Sequence, residues 1–358
     1  MAFSADWPLS RFDAARNAHS PEELPVKLQP AWTLDLPRLS PGWIDQPRLQ
    51  FDAVYQPIVI DGRLIIGSPS DDSVTAFDLK TGKEIWRFMT GGPVRLPPAA
   101  ASGRIFAGSD DGYLYALDAA KGTLLWKMKG APKERLVLGN GRMIDTWPVR
   151  GGPVVADGKV YFAAGIWPFM GVFVHCVDAE SGKPIWSNSG DGAAYLTQPH
   201  GAKSFSGIAP QGSLALIGDR LLIPNGRSEA ASYERATGKM QYFAFANKFG
   251  GHDVVATEKM FFCGGLVFDL KDGKPMGSAV HSPVIADNIV YGLGVNILQA
   301  YDLSMEVKNS SAVKFKTAPT PRYLQTVAAP FSGGKVMIMC GQRLYLGGKG
   351  ASRRSICR

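Results

Sequence analysis

The sequence predicts an all-β protein built as a ring of four-stranded antiparallel blades, a β-propeller. Three observations carry the prediction. A short motif of strand, acidic turn and strand recurs along the chain, and a turn-centred hairpin precedes each copy. Glycine (41 residues) and proline (25) together exceed the usual share of about 12%, as many tight turns between short strands require.

The motif is clearest in three copies: TAFDLKTGKEIW from Thr75, YALDAAKGTLLW from Tyr115 and HCVDAESGKPIW from His175. Weaker copies are SYERATGKMQYF from Ser232, VFDLKDGKPMGS from Val267 and AYDLS from Ala300. Asp78, Asp118, Asp178 and Asp269 suit a turn in which the carboxylate accepts backbone N–H bonds. Gly82, Gly122, Gly182, Gly238 and Gly273 supply the positive φ that the turn demands. Trp86, Trp126 and Trp186 close the second strand with a large face for packing between neighbouring sheets. Tyr242 and Met276 stand in that place in the fourth and fifth copies.

Upstream hairpins complete the unit. PIVIDGRLIIGS, PAAASGRIFAGS and PVVADGKVYFAAG each set a DG or SG turn between apolar runs, and later copies use GD and DN. Four strands in units of about 40 residues describe propeller blades. Six units begin near Val54, Arg95, Arg150, Ile208, Gly251 and Ser282, and VMIMCGQRLYLGGKG opens a seventh.

The Asp-turn-Gly-Lys-x-x-Trp pattern resembles the pyrroloquinoline quinone (PQQ)-like repeat, over about residues 52–350. That repeat occurs in quinoprotein alcohol dehydrogenases and in the propeller lipoprotein of bacterial outer-membrane assembly. The opening DWPLSRFDAARNAHS is similar to the Asp-Trp-Pro segment that precedes such propellers in secreted bacterial proteins. The resemblance implies the periplasm or cell surface. The first twenty residues lack the charged and apolar regions of a signal peptide, so a cytoplasmic site stays open.

Two domains follow: an N-terminal segment over residues 1–51, and the propeller over 52–358. Within the first, LQPAWTLDL (residues 28–36) reads as a fourth strand with its own Trp32, placed to close the last blade. The seventh unit lacks a third strand ending in Asp, so the reading favoured is a chain cut short inside a seven- or eight-bladed ring. The alternative is a degenerate seventh blade closed by the N-terminal strand.

Composition narrows the function classes. The net charge is +8 without a concentrated basic run, so no nucleic-acid partner is expected. No apolar stretch approaches the length of a membrane-spanning helix. Cys176, Cys263, Cys340 and Cys357 are isolated, which excludes CxxC zinc and haem frameworks, and no metal site is expected.

In a propeller the residues just before each innermost strand ring one mouth of the channel. That offset gives Gln56, Arg95, Arg150, Gln211, His252 and His281, a set suited to an anionic or polyhydroxylated ligand. Trp147 and Trp167, in the long connections around the third unit, add stacking surfaces. The alternative is that these groups only satisfy backbone and water at a solvated mouth. No catalytic residue is assigned.

The resemblance to quinoproteins would imply PQQ and a Ca2+ held by Glu and Asn, beside a catalytic Asp and a vicinal disulfide. Adjacent cysteines are absent, and no such residue set is matched by a local motif, so no cofactor is expected. The leading expectation is a non-catalytic binding or scaffold propeller of an exported bacterial protein, with a protein or carbohydrate partner. A PQQ- and Ca2+-dependent oxidoreductase and a sugar- or sugar-acid-binding propeller are the alternatives.

Overall fold

A computed structural model describes residues 6–25, 28–46, 49–198, 200–243, 250–293, 298–309, 312–317, 323–324, 334–348 and 356–357. Among these, six sheets carry four consecutive antiparallel strands, A to D, and a seventh carries two. Blade I is Ile58–Ile60, Arg63–Ser68, Ser73–Asp78 and Glu84–Met89. Blade II runs from Ala99–Ala101 to Leu124–Lys129, blade III from Gly151–Ala156 to Pro184–Asn188, and blade IV from Ala215–Ile217 to Met240–Tyr242. Blade V runs from Val254–Ala256 to Pro275–Ser278 and blade VI from His281–Ala286 to Ala312–Thr317. Blade VII holds Gly334–Cys340 and Arg343–Gly348.

Strand chemistry follows position in the blade. Strand C of blade I, Ser73–Asp78, is buried on both faces except at its end, so it reads as a continuous run of small and apolar residues. Strand D, Glu84–Met89, lies at the rim, where only Trp86 is fully buried. The buried residues form successive layers between blades, from Ile58 and Ile105 between I and II to Val284 and Met337 between VI and VII. The core is thus a stack of interblade seams.

The repeat motif builds each seam. A small residue on strand C stands opposite the aromatic of strand D: Ala76 with Trp86, Ala116 with Trp126, Cys176 with Trp186, Ser232 with Tyr242. A bulge follows each pair, a device that re-aims a side chain. The ring then docks on the C–D turn of the next blade. Trp86 Nε1 donates to the Ala119 carbonyl (3.1 Å), Trp126 to Ala179 (3.3 Å) and Trp186 to Arg235 (3.0 Å), while Tyr242 Oη donates to Leu270 (2.9 Å). Glycine is required beneath. Gly122 has φ +69°, and a Cβ there would lie 2.4 Å from the Trp86 ring. The aspartates pin the same turns: Asp78 Oδ1 accepts from Thr81 N (2.8 Å), and Asp118 Oδ1 from Lys121 N (2.8 Å).

The N-terminal segment departs from the sequence expectation. Residues 28–36 form no strand. Pro30 within the segment and Pro37 directly after it lack N–H donors for a ladder. Trp32 nevertheless docks like its counterparts, donating to the Leu79 carbonyl (3.0 Å) over Gly82 of blade I. The strand added to blade VII is His19–Ser20, which runs parallel to Met339 and Cys340 on the inner edge of the sheet.

Candidate functional site at the channel and loop face

Residues 7–18 lie along the channel and bond to the strands around it. Trp7 and Val59 exchange two backbone hydrogen bonds (2.8 and 2.9 Å), and Ala100 N donates to Pro8 O (2.8 Å). Leu216 N donates to Ala14 O (2.7 Å), Ala256 N to Ala15 O (2.9 Å), Ile285 N to Asn17 O (3.0 Å) and Met339 N to Ala18 O (2.8 Å). Blades I, II and IV to VII are thereby tied to one segment. Arg16 adds blade III, donating from Nη2 to Pro153 O (3.2 Å), from Nε to Leu214 O (2.8 Å) and from Nη1 to Ser10 O (2.8 Å). Burial brings the Arg16 guanidinium down to about 10, against the opposing pull of Asp13 and Asp253. Arg11, Phe12, Arg16 and Ala18 all have φ between 57° and 81°, a conformation that disfavours side chains and needs the surrounding contacts to hold it.

Arg95 and Arg150, placed at the mouth by sequence, are buried in an ion network. Arg95 donates to Asp52 Oδ2 (2.7 Å) and Asp110 Oδ2 (2.7 Å). Arg150 grips both oxygens of the same Asp110, at 2.9 and 2.8 Å. Burial alone would raise the Asp110 carboxyl, but the charges and hydrogen bonds of Arg150 and Arg95 hold it below the usual carboxylate range. Two cations face two anions, and the network joins blades I to III to the N-terminal segment. Asp52 also accepts from Gly42 N (2.9 Å). Neither Asp52 nor Asp110 was singled out as the partner of these arginines from sequence, because the pairing spans 15 to 43 positions.

The long connection before blade III covers this network. Its hairpin, Leu136–Gly139 with Arg142–Asp145, reaches back to blade I, where Arg142 bonds Asp72 and the Pro69 carbonyl. In its hydrogen-bonding orientation, the Asn140 amide at the tip donates to Gly42 O (2.7 Å) and accepts from Arg150 Nη2 (3.1 Å). At the base, Asp145 is buried against Lys129 Nζ (2.5 Å).

The other sequence candidates do not converge. Gln56 is bonded to the Phe51 carbonyl (3.2 Å) and Ser10 (3.4 Å), and Gln211 is buried beside Gly212, whose N–H donates to Arg150 O (3.0 Å). His252 sits 3.4 Å from Asp253, whereas the His281 ring covers Gly265. Trp147 Nε1 donates to Met170 O (2.9 Å), so it braces the turn Pro168–Met170 that follows the half-buried Trp167. A cleft of about 190 Å3 opens between residues 34–37 and blade I, beside Arg87, Asp71 and Glu84. That is below the ~300–1,000 Å3 of typical small-molecule sites. Among the described residues no group of three or more His, Cys, Asp and Glu is arranged to hold a metal ion.

The chain resembles known proteins in sequence and in fold. A family model described as outer membrane protein assembly factor BamB matches residues 30–146. The dehydrogenase subunit of a quinone alcohol dehydrogenase from Gluconobacter oxydans is 32% identical over 158 residues, 38% of this chain and 20% of that protein. The glycerol dehydrogenase large subunit of the same organism is 29% identical over 207 residues, 49% of this chain and 28% of that protein. The chain therefore spans a minor part of the length of these relatives. In fold it superposes on quinohemoprotein alcohol dehydrogenase from Comamonas testosteroni with a TM-score of 0.58 at 14% identity, covering 95% of this chain and 70% of that one. BamB from Moraxella catarrhalis gives a TM-score of 0.52 at 13% identity, covering 83% and 82%.

Proposed function

We propose that this chain, a member of the PQQ-like β-propeller family, works as a non-catalytic scaffold that offers its surface to a partner. One observation carries the reading: residues 7–18 occupy the channel and bond to its strands, and the mouth arginines are neutralised by Asp52 and Asp110.

The family also implies a PQQ and Ca2+ centre. The described residues do not fit one. The axial space holds backbone and the Arg16 guanidinium, and of the two buried carboxylates in the mouth network Asp110 is bonded to arginines through both oxygens and Asp52 to Arg95 through Oδ2. A sugar-acid site would need Arg95 or Arg150 to release those carboxylates, at the cost of leaving a buried charge unpaired. Similarity to an outer-membrane assembly factor supports a protein-binding role outside the cytoplasm. Among the described residues no helix is long and apolar enough to cross a membrane.

The test is a titration of the full chain with PQQ and Ca2+, followed by absorbance, with dye-linked alcohol and polyol oxidation measured alongside. The scaffold reading expects neither binding at micromolar quinone nor turnover. Saturable binding with turnover would replace it by an oxidoreductase.

A further inference from the structure

The connections on either side of blade III each carry a hairpin, whereas blades I and II are joined by a short link from Thr90 to Pro98. The first hairpin sets Leu138 directly opposite Met143, with Leu136 two residues away on the same face. The second, Ala193–Thr197 with Lys203–Gly207, sets Tyr195 opposite Phe205, with their rings 5.1 Å apart. Phe169 lies in the turn between them. That turn is held to the first hairpin's base through Trp147, and its Pro168 approaches Gly207 of the second.

The sidedness of the first hairpin is decisive. Ile144 is buried and Val137 half-buried, so the face toward the propeller is already satisfied. Leu136, Leu138 and Met143 point away from it. Together with Phe169, Tyr195 and Phe205 they are 56–76% exposed. Apolar concentrations of this kind on one face mark interaction sites. Side chains so exposed protrude instead of lining a groove, and a fluid apolar phase can close around them.

The polar neighbours are mainly cationic. Lys133, Arg135 and Lys203 are exposed and form no ion pair among the described residues, against one exposed acid, Glu134. The chain as a whole carries +8. Exposed apolar side chains flanked by cations match the interfacial zone of an anionic bilayer, where basic side chains reach the headgroups while apolar ones enter the acyl boundary.

We propose that the loop face docks on an anionic lipid surface through these two hairpins and Phe169. The proposal goes beyond the scaffold reading and is independent of whether the propeller is catalytic. The probe is sedimentation of the full chain with vesicles of phosphatidylcholine alone, and with vesicles of equal parts phosphatidylcholine and phosphatidylglycerol. The protein is expected to sediment with the mixed vesicles and to stay in solution with the neutral ones.

Leu138→Ser combined with Phe205→Ser is expected to lower binding at least about 10-fold, because two buried apolar contacts are removed. Lys133→Glu with Lys203→Glu is expected to weaken it about 10-fold or more by reversing the charge. Thermal melts of all variants should match the parent, since these side chains are exposed. Failure of the parent chain to sediment with the mixed vesicles overturns the proposal. So does undiminished binding by the doubly serine-substituted chain, which would leave general charge attraction as the cause. Equal binding to neutral vesicles overturns the role of the cations.

Discussion

Arg16 Nε donates to the Leu214 carbonyl at 2.8 Å, joining residues 198 positions apart inside the channel. The same guanidinium reaches Pro153 and Ser10, so one side chain holds the N-terminal segment against blades III and IV. Hydrogen bonds of a charged donor to buried carbonyls are costly to remove, because the acceptors are then left without water or partner.

Arg16→Ala is therefore expected to destabilise the fold by about 2–4 kcal/mol. Arg16→Lys should recover only part, since an ammonium cannot span three carbonyls from a planar fork. Urea denaturation of both variants checks this. A loss within about 0.5 kcal/mol for the alanine chain, the range of ordinary surface substitutions, would contradict the role of the channel segment.

Asp110 is the anion shared by two buried arginines, so Asp110→Asn leaves one guanidinium without a full counter-charge. A loss of about 3–5 kcal/mol is expected, as for other broken buried pairs. The pH dependence has a definite sign. The folded carboxyl titrates below the unfolded one, so its contribution is present above roughly pH 4 and disappears as the pH falls through the folded value. Acid denaturation curves of parent and variant should converge at low pH, and parallel curves would count against the assignment.

Gly122 and Gly103 separate backbone from packing effects. Both have φ near +70°, but a Cβ at Gly103 meets nothing within 4 Å, whereas at Gly122 it meets the Trp86 ring. Gly103→Ala should cost about 1 kcal/mol from the backbone alone. Gly122→Ala should cost roughly 3 kcal/mol or more, because the docked indole must move. Equal losses in thermal or chemical melts would show that the indole docking is unimportant.

His175 is buried against Phe162, with its Nε2 2.9 Å from the Gly130 carbonyl and its Nδ1 2.8 Å from Ser187 Oγ. A carbonyl can only accept, so Nε2 carries the proton and Nδ1 accepts from the hydroxyl. Burial pushes its pKa down, with a smaller opposing pull from Gly130. The unfolded chain then binds more protons below about pH 6.5, and stability falls as the pH drops from there toward the folded value. An NMR titration should show His175 still neutral when an unperturbed imidazole has become charged. Titration at or above 6.5 would refute it.

Much of the fold was legible in the sequence, and the candidate site was not. Asp78, Gly82 and Trp86 lie within nine residues, so local turn chemistry announces a blade wherever the motif recurs. Even Tyr242 could be placed as a substitute aromatic from its spacing alone. Arg95 and Arg150 stand just before the first strands of blades II and III, Ala99–Ala101 and Gly151–Ala156. Their pairing with Asp52 and Asp110 depends on how neighbouring blades converge, and no local pattern encodes that. Trp32 shows the divide within one residue: its docking on blade I follows the repeat, yet the strand expected around it does not form.

The sequence by itself determined the repeating blade, its turns and the aromatic that seals each seam, because these rest on contacts within a few residues or one repeat. Only the tertiary structure decided that residues 7–18 lie in the channel, that the mouth cations are neutralised and that two hairpins carry apolar faces outward. Those outcomes depend on groups brought together from distant parts of the chain, where burial and unmet hydrogen bonds, instead of local propensity, select the arrangement.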